Sequence, residues 1–181
     1  MRNVWDKLPV AVGAIDGTSH EVYKPGTEPQ EQYFSGHRQY HAIHSQVIVG
    51  NSGVIRHVES GFLGHQNDAQ QFRLMRQIGI DLPFPDQCFL LGDKIYPNGH
   101  PIITQYTAAQ MRRKHGRQRR QCRKLNRYIG RYRVCVEQAI GELKCYRSIS
   151  SVWRQRRSAL PRVVNICAGL VCRRKQIGLI A

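Results

Sequence analysis

Acidic side chains are scarce in this chain, with 12 Asp and Glu against 28 Lys and Arg for a formal net charge of +16. Such an excess implies a polyanionic partner. Because the positive charge is clustered, it favours nucleic acid over a membrane surface. Long apolar runs are missing too: the best stretch, residues 163–172, is short and broken by Asn165, whereas a membrane-spanning helix needs roughly 20 apolar residues. The opening residues MRNVWDKLPVAVG mix charged with apolar side chains and lack the apolar core of a secretion signal. The six cysteines form no CxxC pair and have no histidine at zinc-finger spacing. A disulfide framework and structural zinc are therefore not expected, and reduced, buried thiols are. The chain also has no P-loop, no HExxH and no GxSxG, which leaves nucleotide hydrolysis, zinc proteolysis and serine esterase chemistry without support.

What is present fits one compact domain spanning residues 1–181. Residues 10–15, VAVGAI, form a short apolar run that predicts a buried strand with Asp16 at its C-terminal tip. Residues 21–39 carry Pro25, Gly26, Pro29 and Gly36 and predict loop. Residues 40–49 and 54–60 are β-rich and separated by Gly50-Asn51-Ser52-Gly53, the pattern of an antiparallel hairpin. Asn67 or Asp68 can cap a helix running to about Gly79, with Ala69, Phe72, Met75 and Ile78 at helical spacing. Cys88-Phe89-Leu90-Leu91-Gly92 predicts a second buried strand ending at Asp93. From about Asn126 an apolar stripe of Ile129, Tyr132, Val136, Ile140 and Leu143 predicts a helix with Glu137 beside the stripe. A last helix is expected over residues 160–177.

Positive charge concentrates just before that stripe. Arg112, Arg113, Lys114, Arg117, Arg119, Arg120, Arg123, Lys124, Arg127, Arg131 and Arg133 occur with no acid among them. Such a run is a solvated helix face, a nuclear-import signal or a phosphate-binding surface, and these roles can coexist. His37, His41 and His44 also cluster, pointing to phosphate contacts or a structural role rather than a metal site.

Strand ending in Asp, hairpin, helix, strand ending in Asp, then helix bearing Glu is the element order of RNase H-like nucleases, an α/β fold with a mixed sheet flanked by helices. If the two strands are neighbours, their tips lie about 5 Å apart and a packed helix can bring Glu137 to them. Converging carboxylates call for cations, and hard oxygen ligands suit magnesium or manganese. Paired ions of this kind support in-line cleavage of phosphodiester bonds.

The stretch AIDGTSHEVYKPGTEPQEQYFSGHRQYHAIHSQVIVGNSGVIRHVESGFLGHQNDAQQF, followed by LLGDKIYP and RYRVCVEQAIGELKCYRSI, resembles the nuclease domain of PIF/Harbinger-type transposases over almost the whole chain. The resemblance implies a metal-dependent DNA endonuclease with strand transfer as a second step. It makes Asp16, Asp93 and Glu137 the catalytic metal ligands. Asp68, within GHQND, matches a further acidic position and is a ligand, a neighbour of a ligand or only the helix cap. Arg133 and Lys144 keep the spacing to Glu137 seen in related bacterial transposases, and offsets of 4 and 7 put all three on one helix face. There they would hold DNA phosphates, or Glu137 would simply pair with them along the helix. The tyrosine of that motif is replaced by Gly130, with Tyr128 and Tyr132 nearby.

Family members also carry an N-terminal helix-turn-helix-like region, expected to be absent here because the first core strand begins so early. Double-stranded DNA is the expected partner, a Myb-like protein the expected source of site choice, and the nucleus the expected location; self-association stays open. The alternative is a catalytically silent, nuclear DNA-binding descendant of a transposase. An RNA-binding module rests on charge alone.

Overall fold

The computed structural model describes residues 5–76 and 84–178. Among them, strand β1 (Ala11–Glu21) is followed by a short helix α1 (Gln30–Tyr33), β2 (Phe34–Ser35), β3 (Tyr40–Gly50), β4 (Ile55–Leu63) and helix α2 (Asp68–Leu74). Strands β5 (Phe89–Gly92) and β6 (Ile102–Thr104) come next. Helices α3 (Ala108–Arg112), α4 (Gly116–Lys144), α5 (Arg147–Ser150) and α6 (Leu160–Gln176) complete the chain, with a 3-10 turn just before α6. The strands form one curled sheet of order β2-β3-β1-β5-β6, and β4 also pairs with β3. β3 is antiparallel to β1 and β4, while β5 and β6 run parallel to β1. This mixed sheet flanked by helices is the RNase H-like fold.

Alternation along the strands assigns each face its helices. Ala14, Val47, Val49 and Leu91 point into the larger core with Ile129, Val136 and Leu143 of α4 and Val164 and Val171 of α6. Ile15, Ile48 and Leu90 point the other way, against Phe72 of α2 and Tyr96. Asp16 shares the parity of Ala14, and Asp93 that of Leu91, so both carboxylates belong to the α4 face. Gly17 and Gln46 belong to the α2 face.

The hairpin of β3 and β4 forms as the Gly-Asn-Ser-Gly turn predicts, and β4 runs to Leu63, three residues past the expected β-rich run over 54–60. β1 does not end at Asp16. Its antiparallel pairing with β3 continues to Glu21↔Ala42, and those backbone bonds keep it extended. The parallel pairing with β5 does stop early, at Ala14↔Leu91. Asp16 and Asp93 therefore each lie two residues past the last paired position of the two parallel strands, which is what makes them neighbours.

Asn67 caps α2. Its side chain accepts from Gln70 N at 2.9 Å, and the Gln70 side chain accepts from Asn67 N at 2.9 Å. With the capping box complete, Asp68 is not the cap and its carboxylate is available elsewhere. The helix ends at Leu74, short of the expected end, and Ile78 and Gly79 lie outside the described residues. The basic run, expected ahead of the Glu137 helix, is largely its first half, because α4 begins at Gly116. All six cysteines are free. No helix among the described residues is long and apolar enough to cross a membrane.

Candidate active site

Arg133 joins Asp16 to Asp93. On α4 it occupies the buried stripe that includes Ile129 and Val136, and it is only 9% exposed. Its Nη2 lies 3.0 Å from Asp16 Oδ2 and its Nη1 3.7 Å from Asp93 Oδ1. The Asp16 carboxylate also accepts the Gly17 N–H at 3.0 Å. Burial nonetheless outweighs these favourable contacts, and with Asp68 and Asp93 nearby it pushes the Asp16 carboxyl up to about 6. The site thus concentrates more negative charge than one guanidinium balances.

Asp68 reaches the same place from the α2 face. A Cβ on Gly17 would overlap its carboxylate, so only glycine lets Asp68 lie against β1 there. Gln46 holds it: the Gln46 Nε2 amide donates to Asp68 Oδ1 at 3.1 Å and to Gln71 Oε1 at 2.7 Å. The Tyr96 hydroxyl, kept protonated by burial, donates to Gln46 Oε1 at 2.5 Å. That bond fixes which end of the amide faces Asp68. Burial again raises the Asp68 carboxyl, and Asp93 adds to the rise.

The remaining sequence-predicted residues fall into three groups. Glu137 stands one helical turn beyond Arg133, on the helix packed against the Asp16 and Asp93 face, with its side chain exposed and making no hydrogen bond or ion pair among the described residues. Lys144, two further turns along, donates to the backbone carbonyl of Ser19, and burial lowers its ammonium to about 8. Arg133 is thus buried and Lys144 half-buried, and both are engaged with the protein's own oxygens. Arg112, Arg113, Arg117, Arg119, Arg120, Arg123 and Lys124 are exposed, while Lys114 is half-buried. Arg120, Arg123, Lys124, Arg127 and Tyr128 line a groove of about 340 Å³.

The structure therefore gathers Asp16, Asp93 and Asp68, and among the described residues no three Asp, Glu, His or Cys side chains are arranged to hold a metal ion as they stand. The donor set still suits one. Three carboxylates supply hard oxygen ligands, and their charge exceeds that of the single guanidinium between two of them. Sequence reasoning did not find Gln46, Tyr96 or the counter-charge role of Arg133. A signal existed for two of them: Gln46 is a polar residue inside the apolar run of β3, and Arg133 falls on the apolar stripe at the offset of a core residue.

A cavity of about 580 Å³ opens beside these acids, lined by Asp16, Asp68 and Asp93 on one side and by residues of the β2–β3 turn on the other. Acids grouped where the parallel strands of an RNase H-like sheet end define a class of proteins that cut phosphodiester bonds. A family model described as DDE superfamily endonuclease matches residues 15–171, and the chain belongs to that family. No curated protein and no solved structure matches it.

Proposed function

We propose that this chain is the catalytic domain of a PIF/Harbinger-type transposase, a nuclear, magnesium- or manganese-dependent endonuclease acting on double-stranded DNA. The observation that carries the reading is the meeting of Asp16, Asp93 and Asp68 at the end of β5, tied to α4 through Arg133. Asp16, Asp93 and Glu137 are the ligands assigned by the family resemblance, and Asp68, released from capping, is the fourth. When bound, the divalent ions supply an activated water and stabilise the departing oxygen. The water oxygen joins phosphorus as the bond from phosphorus to a DNA oxygen breaks. Strand transfer by a DNA 3′-hydroxyl is the same displacement with a different nucleophile.

The chain's own residues prepare that step. Gln46 and Tyr96 fix the orientation of Asp68, and burial of Asp16 and Asp68 leaves carboxylates whose charge is poorly compensated and which favour a cation. A cation held by Asp16 and Asp93 would take over the charge balance that Arg133 supplies to them, and would leave its guanidinium available to a phosphate. The exposed arginines of α4 position duplex DNA through its backbone, and phosphate contacts carry no sequence information. Site choice is therefore assigned to a Myb-like partner protein. A supercoiled-plasmid nicking assay with magnesium or manganese tests the reading. Wild type should nick; Asp16→Ala and Glu137→Gln should bind DNA about as well yet nick at least about a hundredfold more slowly. Full metal-dependent cleavage by Glu137→Gln would remove that residue from the site, and no nicking by wild type would favour a silent DNA-binding descendant.

A further inference from the structure

Helix α6 carries two apolar stripes, and only one of them meets the core. Leu160, Val164, Cys167, Ala168 and Val171 are buried against α4 and the sheet. Ile166, Leu170 and Ile177 lie on another side and are 63%, 46% and 52% exposed. Ile177 closes the helix, its N–H bonding Arg173 O at 3.1 Å, so helical spacing holds across all three. Offsets of 4 and 7 put them on one narrow line. That line is turned roughly 120° around the helix from the buried stripe and runs for about 16 Å, or about three turns. A surface helix needs one apolar stripe for its core and is polar elsewhere, so the second stripe is surplus to the fold.

The polar residues around this stripe are of one sign. No Asp or Glu occurs between Leu160 and Gln176. Arg162 and Arg173 are exposed on one flank, and their guanidiniums make no hydrogen bond or ion pair among the described residues; Arg174 lies on the other flank. None of these residues lines the cavity at the acids or the groove on α4. The phosphate backbone of a nucleic acid gains nothing from exposed Ile and Leu. A second copy meeting this stripe across a twofold axis would bring like cations together, between chains that each carry +16. A membrane surface is bound through a broad apolar face, and the broad face of α6 is already in the core. A helix whose own apolar stripe is edged by Asp and Glu matches both the aliphatic line and its cations.

We infer that the outer stripe of α6 docks an acidic amphipathic helix of another protein, whose aliphatic side chains pack on Ile166, Leu170 and Ile177 and whose carboxylates pair with Arg162 and Arg173. The surface is independent of the cleavage reading and holds whether or not the chain cuts DNA.

Fluorescence anisotropy on the full chain tests it with an alanine-based helical peptide of about 20 residues, carrying leucines at matching helical spacing and glutamates beside them. Two controls keep its length: one scatters the same leucines and glutamates, the other has lysine for every glutamate. Wild type should bind the acidic amphipathic peptide at least about tenfold more tightly than either control. Ile166→Gln with Leu170→Gln, both exposed positions, should abolish that preference while leaving the thermal melt and duplex binding close to wild type. Arg162→Glu with Arg173→Glu should shift the preference towards the lysine peptide, whereas Arg120→Ala with Arg123→Ala should leave it unchanged. Equal binding of the three peptides, or a preference that survives the glutamine variant, overturns the docking surface. A wild-type dimer in sedimentation that the glutamine variant dissociates would overturn it in favour of a second copy. Binding to phosphatidylcholine vesicles with about one-third phosphatidylserine, lost in the same variant, would overturn it in favour of a lipid surface.

Discussion

Gly17 shows how much of the site depends on a side chain that is absent. A Cβ there would collide with the Asp68 carboxylate and approach Gln46 Nε2 to 3.2 Å, and Gln46 is itself held by Tyr96 and Gln71, so it has little room to yield. Gly17→Ala should therefore displace Asp68 while leaving every acidic residue in the sequence unchanged. Manganese affinity, measured by calorimetry or spin resonance, should fall about tenfold or more, with a stability cost of about 1–3 kcal/mol from overpacking. Unchanged affinity would show that Asp68 takes no part in holding the ion.

At the scale of the element, α4 does two incompatible things along its length. Its second half buries Ile129, Val136, Ala139 and Leu143 at 0% exposure, and truncating one such leucine costs about 2–5 kcal/mol. Its first half carries six cations and no acid, and has no side-chain cap at His115. Positive charge near a helix N-terminus opposes the macrodipole, and like charges four apart, as in Arg119 with Arg123 and Arg120 with Lys124, repel by a few tenths of a kcal/mol each. On the proposed reading, bound phosphate would offset this repulsion, which costs stability in the free chain. Replacing Arg117, Arg119, Arg120 and Arg123 with Ala should weaken binding to unrelated duplexes alike. It should also flatten the salt dependence, by about 0.9 in the slope of log K against log salt for each phosphate no longer neutralised. The same variant should leave the free chain at least as stable as wild type in thermal melts. A slope that does not change would reduce the run to a solvated surface or an import signal.

For the whole molecule, pH separates the buried groups. His20 is fully buried, with its Nδ1 3.0 Å from Ile149 O and its Nε2 2.9 Å from Ser45 Oγ. Burial lowers both His20 and His44 from an ordinary 6.5 to about 4. A base whose folded pKa is depressed contributes stability that is full above its unfolded value and lost as pH falls towards its folded one. Each histidine therefore withdraws stability between about 6.5 and 4, by up to about 3 kcal/mol for His20. Asp16 acts in the opposite sense. Its folded value is raised from 3.8 to about 6, so its contribution is full below 3.8 and lost as pH rises through 6. Lys144, lowered to about 8, titrates above this window. Denaturant titrations should show wild type losing stability from about pH 6.5 to 4, and Asp16→Asn losing it more steeply because the opposing group is gone. Equal slopes in the two proteins would mean that Asp16 is not buried as described.

Much of this architecture could be read from local pattern. The alternation in residues 40–60 and the glycine turn within it specify the hairpin, the short apolar runs before Asp16 and Asp93 specify two buried strands, and the stripe from Ile129 to Leu143 specifies the helix that packs on them. Period and turn chemistry act between near neighbours in sequence, so one chain is enough to reveal them. Strand ends and contacts across the fold were not legible in this way. Asp16 sits in mid-strand because β3 keeps pairing where β5 has stopped, and the capping box frees Asp68 to lie against Gly17, a residue 51 positions earlier in the chain. Arg133 ends a run of surface cations while falling on the apolar stripe, and only packing brings it onto two carboxylates. The sequence by itself determined which residues carry charge and which elements they sit on. Which charges meet was decided by the tertiary structure, because electrostatic partners are set by distance through space and by burial, and neither is a local property of the chain.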